Sequence, residues 1–389
     1  MKIKHIIYSL FLGLAFTACA EVDYCDSEHP HKGSAKFTFD FGEKTGDKPE
    51  TMGVITYRVV GQSKRLLKVN STTFDIAGAQ SVDLEVGDYK FITFPYDETE
   101  LDYSDVFKFL TEKSADFPLQ EVCYAYKQYS KDDPKLRKKL VGWDDYNQYS
   151  QYIQPDVNIL FYDTTQIVRI DHEKEQTIPF KPKSLSQTID FYFNIKKKVD
   201  EAPFVIDKIW AEVGGVPRKI NLSNGHLDIT KTSKIMFPID MTDANGNTAS
   251  VDETPDTETN TSLRCHGQIH VSGLVNVQRN TGESLEDVHR KTYGPGIMQV
   301  IIYGHAIDSD TGRRINRRWQ GVINLYEALK KAKLTVTTVD GKYVKRNTEH
   351  GTVNIGTPLN MDGNSILRNN SGGDGLEEWI PTVSINLDI

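Results

Sequence analysis

Ser81-Val82-Asp83-Leu84-Glu85-Val86-Gly87-Asp88-Tyr89-Lys90-Phe91-Ile92-Thr93-Phe94 is the stretch that sets the fold class. Val82, Leu84 and Val86 alternate with polar residues, the pattern of a half-buried strand whose successive side chains point to opposite faces. Tyr89 to Phe94 is rich in the aromatic and β-branched residues that suit a second strand. A Gly-Asp pair between two such runs predicts a hairpin.

Working outward, Lys36-Phe37-Thr38-Phe39-Asp40-Phe41 alternates in the same way, and Val54 to Val60 supplies another strand. A long polar and aromatic stretch then runs from residue 97 to residue 152. Gln154-Pro155-Asp156 leads into Val157–Tyr162, read as the last strand of a first domain. Pro179 and Pro182 among the charges of Asp171–Ser186 place a boundary near residue 172. Beyond it, Gln187–Ile195, Phe204–Val213, Ile235–Asp240 and Ser262–Val271 read as strands, with a polar loop over Thr242–Thr261. Ile297–Ile307 and Arg313–Ile323 flank Asp308-Ser309-Asp310-Thr311-Gly312 and predict a long hairpin. Ile323–Ala332 predicts a short helix, its closing lysines matched to the negative helix end. Thr335–Val339, Tyr343–Arg346 and Thr382–Ile389 complete the set as strands. The expectation is an all-β protein of two sandwich domains, about 140 and 215 residues long, with one or two short helices.

The N-terminus carries an export signal. Met1-Lys2-Ile3-Lys4 is a short basic start, His5 to Phe16 is almost wholly apolar, and Thr17-Ala18-Cys19-Ala20 follows. The apolar run is too short to span a bilayer comfortably. Its ending resembles the lipobox of bacterial lipoproteins, which implies lipidation of Cys19 as the mature first residue; a plain secretory leader is the alternative. The expected division is therefore a signal over 1–18, a lipid-anchored segment over 19–33, a first sandwich over 34–172 with the insertion at 97–152, and a second sandwich over 173–389.

Charge and chemistry narrow the function. The 389-residue chain has a formal charge of −8, and loss of Lys2 and Lys4 lowers it by two more. That balance opposes nucleic acid as a partner, since phosphate neutralisation needs a cationic face. Arg313-Arg314-Ile315-Asn316-Arg317-Arg318 is locally basic and reads as a protected sheet edge. Cys25, Cys123 and Cys265 have no zinc spacing, and three cysteines cannot all pair within one chain, so one optional disulfide and one buried thiol are expected. Asp26, Glu28, His29 and His31 around Pro30 read as an ordered entry into the fold rather than a metal site. Asp243-Ala244-Asn245-Gly246-Asn247 begins like a calcium loop, but its glycine comes early and Thr254 stands where a bidentate Glu belongs. Asp308-Ser309-Asp310 has the same defect. No nucleophile elbow, zinc-protease motif, phosphate loop or nucleotide fingerprint occurs, so neither an enzyme nor a cofactor is expected.

Tyr124, Tyr126, Tyr129, Trp143, Tyr146, Tyr149 and Tyr152 crowd the insertion. They either pack it onto the sandwich or, through Trp143, Tyr146, Tyr149 and Tyr152, stack on sugars or a protein partner.

A cysteine, His29-Pro30-His31 and then an alternating strand resemble the opening of the fimbrillin-like surface lipoproteins of Bacteroidetes, relatives of the anchor and accessory subunits of lipoprotein-derived (type V) pili. Leu84-Glu85-Val86-Gly87-Asp88-Tyr89-Lys90-Phe91-Ile92 is similar to their recurrent strand–Gly–Tyr hairpin. Gln154-Pro155-Asp156-Val157 and Trp379-Ile380-Pro381-Thr382-Val383-Ser384-Ile385-Asn386-Leu387-Asp388-Ile389 resemble the end of their first domain and their closing strand. The chain departs from them at Asp40-Phe41-Gly42, where many carry a tryptophan, and in its long insertion. The resemblance implies transthyretin-like sandwiches, display from the outer membrane on a lipid anchor, and assembly with other pilus subunits by β-strand addition. Val383, Ile385 and Leu387 on one face of the terminal strand are the residues to exchange, or else to complete their own sheet. A surface glycan-binding lipoprotein is the rival expectation.

Overall fold

Phe37, Phe91 and Phe180 meet at the centre of the N-terminal half, with the Phe37 and Phe91 rings 5.1 Å apart and edge to face. Such contacts add to the burial of large apolar area. The computed structural model describes residues 31–42, 49–61, 65–75, 81–98, 101–111, 122–128, 161–172, 174–197, 204–243, 262–275, 296–307, 310–338, 341–362, 366–367 and 376–384. They are mostly strand, with two short helices, so the all-β expectation is met.

The N-terminal half is a sandwich of two sheets. β1 (Lys32–Phe39) lies between β4 (Ser81–Glu85) and β10 (Glu175–Phe180), the latter parallel to it. The facing sheet runs β11 (Lys183–Ser184), β8 (Phe161–Thr164), β5 (Gly87–Pro95), β2 (Thr51–Val60) and β3 (Arg65–Asp75), with β9 (Val168–Ile170) also on β5. Ala35, Phe37, Leu84, Ile178 and Phe180 of the small sheet pack on Val54, Tyr89, Phe91 and Ile170 of the other. Of the strand expected to close this part at Val157–Tyr162, Phe161 and Tyr162 fall in β8 and the rest lies outside the described residues; three more strands follow β8. The chain changes sheets between Ser184 and Gln187, past the boundary expected near residue 172.

The two runs around Gly87 both become strands, yet they do not pair. Ala35 of β1 stands opposite Val82 of β4, whereas Ile55 of β2 stands opposite Ile92 of β5. The expected hairpin is instead a corner that carries the chain from one sheet to the other. A two-residue hairpin turn needs a positive φ, and Gly87 has none. Hydrogen bonds hold the corner: Val86 N–H donates to the His31 carbonyl at 2.8 Å, and the Tyr89 hydroxyl to the Glu85 carbonyl at 2.7 Å. Arg58 donates to the Val86 carbonyl at 3.2 Å and pairs with Glu85.

Most of the described strands beyond Ser184 form a second, larger sandwich. One layer is β22 (Ile366–Leu367), β21 (Leu359–Met361), β12 (Gln187–Lys197) and β15 (Ser262–Val271), with β20 (His350–Asn354) also paired to β12. The other is β14 (Leu227–Thr242), β13 (Phe204–Asn221), β16 (Ile297–Ile307), β17 (Arg314–Asn324) and β23 (Leu376–Ser384). β14 joins them, since its last residues Asp240–Thr242 pair with β15 while its body pairs with β13. Phe191 meets Phe237 across the layers at 5.2 Å, and Trp319, fully buried, lies against Phe204. β18 (Thr335–Thr337) and β19 (Tyr343–Arg346) extend β14 near Leu227.

The predicted hairpin between β16 and β17 is present, with Gly312 at φ +67 in its turn. The predicted helix is α2, Tyr326–Ala332; it starts later than expected because Ile323 and Asn324 still belong to β17. The Asn324 carboxamide accepts the Tyr326 N–H at 2.9 Å, and Lys333 ends the helix in the left-handed conformation. Only part of the basic run is a sheet edge: Arg317 and Arg318 have β23 beside them, whereas Arg314–Asn316 pair with β16 alone among the described strands. β17 is flanked by β16 and β23, Arg318 is buried and donates to Gln320, and Arg314 pairs with Asp207.

Part of the insertion ties the halves together. β6 (Leu101–Asp102), a helix α1 (Ser104–Thr111) and β7 (Cys123–Tyr126) lie within it, and β7 pairs with Lys219–Asn221 of β13. Tyr103, Val106, Tyr124 and Tyr126 join Ile55, Tyr57, Ile92 and Phe94 and the core of the larger sandwich in one apolar cluster. Lys219 pairs with Asp105, and Arg218 lies 3.9 Å from Asp102. Cys123 and Cys265 are buried free thiols, each pushed up in pKa chiefly by burial.

Candidate functional site

Two surfaces are placed to meet a partner. The first is the terminal strand. β23 runs antiparallel to β17, with Trp379 opposite Gly321, Ile380 opposite Gln320 and Val383 opposite Arg318, and it shifts register twice. Among the described strands it is the last of its row. Its main chain thus pairs inside its own domain, and its far side is the edge at which a further strand would add.

The second is the outer face of β12, β15 and β20. β12 alternates strictly: Ile189, Phe191, Phe193 and Ile195 enter the core, while Thr188, Asp190, Tyr192, Asn194 and Lys196 face outward. Register sets Tyr192 beside His266 and Asn354, and Asp190 beside Gln268 and Thr352. Tyr192 is 43% exposed and stacks on the His266 ring at 4.6 Å, with 20° between planes. His266 Nε2 lies 2.8 Å from Asp190 Oδ1, and Gln268 Nε2 donates to the same oxygen at 2.9 Å. Burial works to raise the Asp190 pKa, but the hydrogen bonds from His266 and Gln268 and nearby imidazole charge outweigh it. The carboxyl is held below its usual range. Thr188 Oγ1 and His270 Nδ1 are 3.1 Å apart one row further along. This face offers an aromatic ring beside a fixed carboxylate and amide, chemistry that suits stacking and hydrogen bonding.

Of the residues singled out in the sequence, Cys19, Cys25, Trp143, Tyr146, Tyr149, Tyr152, Ile385 and Leu387 lie outside the described residues, as does the side chain of Val383. Asp26, Glu28, His29 and most of both calcium-like loops lie outside them too. Tyr124 and Tyr126 are buried in the core, and the Tyr126 hydroxyl accepts the Ser272 N–H at 2.8 Å. Among the described residues no group of three or more His, Cys, Asp or Glu is placed to hold a metal, and no helix is long and apolar enough to cross a membrane. Sequence reading missed the Tyr192–His266–Asp190 surface. Its signal was the alternation of β12, and the opposition of Cys265 and His266 in β15: Cys265 is buried and His266 lies on the outer face.

Residues 18–237 match the model of a domain family of unknown function, DUF5119, and the chain belongs to that family. No curated protein matches it. The fold is similar to a candidate adhesin from Bacteroides ovatus, at 12% identity and a TM-score of 0.43, covering 88% of this chain and 96% of that one. It is also similar to the fimbrial anchor protein Mfa2 from Porphyromonas gingivalis, at 9% identity and 0.37, covering 76% and 83%. A third similar structure is a candidate polysaccharide-binding protein (DUF1812) from Bacteroides thetaiotaomicron, at 13% and 0.35, covering 92% and 98%.

Proposed function

We propose that the protein is a cell-surface lipoprotein that serves as an anchor, tip or accessory subunit of a fimbrium in adhesion, and that it assembles by β-strand addition. It acts by binding rather than by catalysis. The observation that carries this reading is β23, a C-terminal strand at the edge of the larger sandwich, where main-chain groups meet a neighbour without any special side chain. The leader ending in Cys19 supports export and a lipid anchor. Several acyl chains on one cysteine would hold the base in the outer membrane better than a single chain could.

The test has two arms in the native host. A fatty-acid analogue is expected to label the wild type and spare Cys19→Ala. A chain ending at residue 375 is expected to be labelled normally but to be missing from fimbriae. Equal labelling of wild type and Cys19→Ala would remove the anchor, and a truncated chain that assembles normally would remove strand addition.

A second reading, a surface glycan-binding lipoprotein, is favoured by the exposed Tyr192 ring beside Asp190 and Gln268. A glycan array with the soluble protein separates the two. A hit lost in Tyr192→Ala would put the glycan reading first, and an empty array leaves the fimbrial one in place.

A further inference from the structure

Lys234 and Glu212 are a charged pair buried on the face of the β13–β14 sheet turned away from the apolar core, since their neighbours Ala211, Val213 and Ile235 enter that core and they do not. Lys234 on β14 is 3% exposed, Glu212 on β13 is fully buried, and the lysine Nζ contacts a carboxylate oxygen of Glu212. The register explains the meeting. Lys234 stands opposite Gly214, which has no side chain to block it, so the lysine stem runs along β13 to the carboxylate two residues away. On the other side of β13, the buried Gln299 of β16 stands directly opposite Glu212. Met236, opposite Glu212 on β14, and Ile301, two residues beyond Gln299, are buried as well.

Such surroundings favour the uncharged forms of both groups, because each ion has lost its hydration. Burial pulls the Lys234 pKa down against the opposing charge of Glu212, which eases loss of the ammonium proton. A neutral amine held against a carboxyl group in a site closed to water has the high effective concentration that makes acyl transfer fast.

We propose that Lys234 and Glu212 close an amide cross-link between β13 and β14. A proton first passes from the ammonium to the carboxylate, giving an amine and a carboxylic acid. The lysine nitrogen attacks the carboxyl carbon, the C–N bond forms, and the C–OH bond breaks. The hydroxyl leaves with a proton from nitrogen as one molecule of water, so the step needs no oxidant, cofactor or nucleotide. Gln299, opposite in register, carries the N–H donors that would steady the carboxyl oxygen as charge develops on it. The product is a covalent ring through residues 212 and 234 that staples two neighbouring strands and survives unfolding. The inference stands independently of the fimbrial reading.

Peptide mapping of the full-length protein by mass spectrometry tests it. The expected result is a branched peptide joining the segments that hold Glu212 and Lys234, lighter than their sum by one water. Linear peptides of full mass around both residues would overturn the proposal. A branch from Lys234 to Gln299 with loss of ammonia would overturn it too, by making Gln299 the acyl partner. Lys234→Met with Glu212→Leu replaces the pair by apolar side chains, a change that well-packed interiors tolerate. That double variant is expected to fold, as read by circular dichroism, and to yield only linear peptides; if it yields the same branched species, the assignment is wrong.

Discussion

Gly304 shows how much a single residue decides in this fold. A Cβ on it would lie 2.1 Å from the Val205 carbonyl oxygen and 2.9 Å from the Trp319 ring. The carbonyl belongs to the neighbouring strand and cannot swing aside as a flexible side chain would. Trp319 is fully buried against Phe204 and has no room to retreat. Gly304→Ala is therefore expected to destabilise the larger sandwich by about 2 kcal/mol or more, the usual cost of overpacking a dense interior. Urea unfolding of the variant checks this, and an unchanged midpoint would mean that β13 and β16 are not packed as described. Close by, the buried His305 lies 2.8 Å from Asp207, which also pairs with Arg314. Of the arginines that read as a protected sheet edge, Arg314 pairs with Asp207, far away along the chain, while Arg318 is buried and donates to nearby Gln320.

At the scale of elements, the corner between β4 and β5 is the informative case. Alternation predicts β4 and aromatic, β-branched content predicts β5, both correctly, since each reports only that the strand is buried. Neither reports which neighbour pairs, and a hairpin and a sheet-to-sheet corner share the same pattern. The Tyr89 hydroxyl, bonded back to the Glu85 carbonyl, closes the corner. Tyr89→Phe is expected to cost about 1 kcal/mol, the net value of one such bond, with no change in the slope of the urea transition. A loss near zero would show that the corner is held by Arg58 and the main chain alone. The β16–β17 hairpin was legible because a polar, Gly-ending turn separates the apolar Ile297–Ile307 from a second run that ends in Trp319 and Val322-Ile323. So was β15, to the residue. β7, β9, β10 and β11 were not: they are short, and their pairing with β13, β5, β1 and β8 is set by residues distant in the chain. Tyr124 and Tyr126 stood in a polar, aromatic-rich stretch whose periodicity carries no strand signal, although both fill the core. The Tyr192–His266 face was readable only once β12 and β15 were known to be neighbours.

For the whole molecule, the account rests on a sandwich finished by its own last described strand. β23 lies along β17 over residues 376–384, so its removal exposes the side of β17 that it covers and takes away that row's outermost partner. Each main-chain hydrogen bond lost with it contributes about 0.5–1.5 kcal/mol net, so a row of them is a large share of the 5–15 kcal/mol that holds a typical domain together. The most direct measurement is a melting experiment on a chain ending at residue 375, with and without a peptide of residues 376–389. The account predicts a melting temperature well below wild type, raised in a saturable way by the peptide and not by a scrambled one. A truncated chain that melts as the wild type does and ignores the peptide would contradict it.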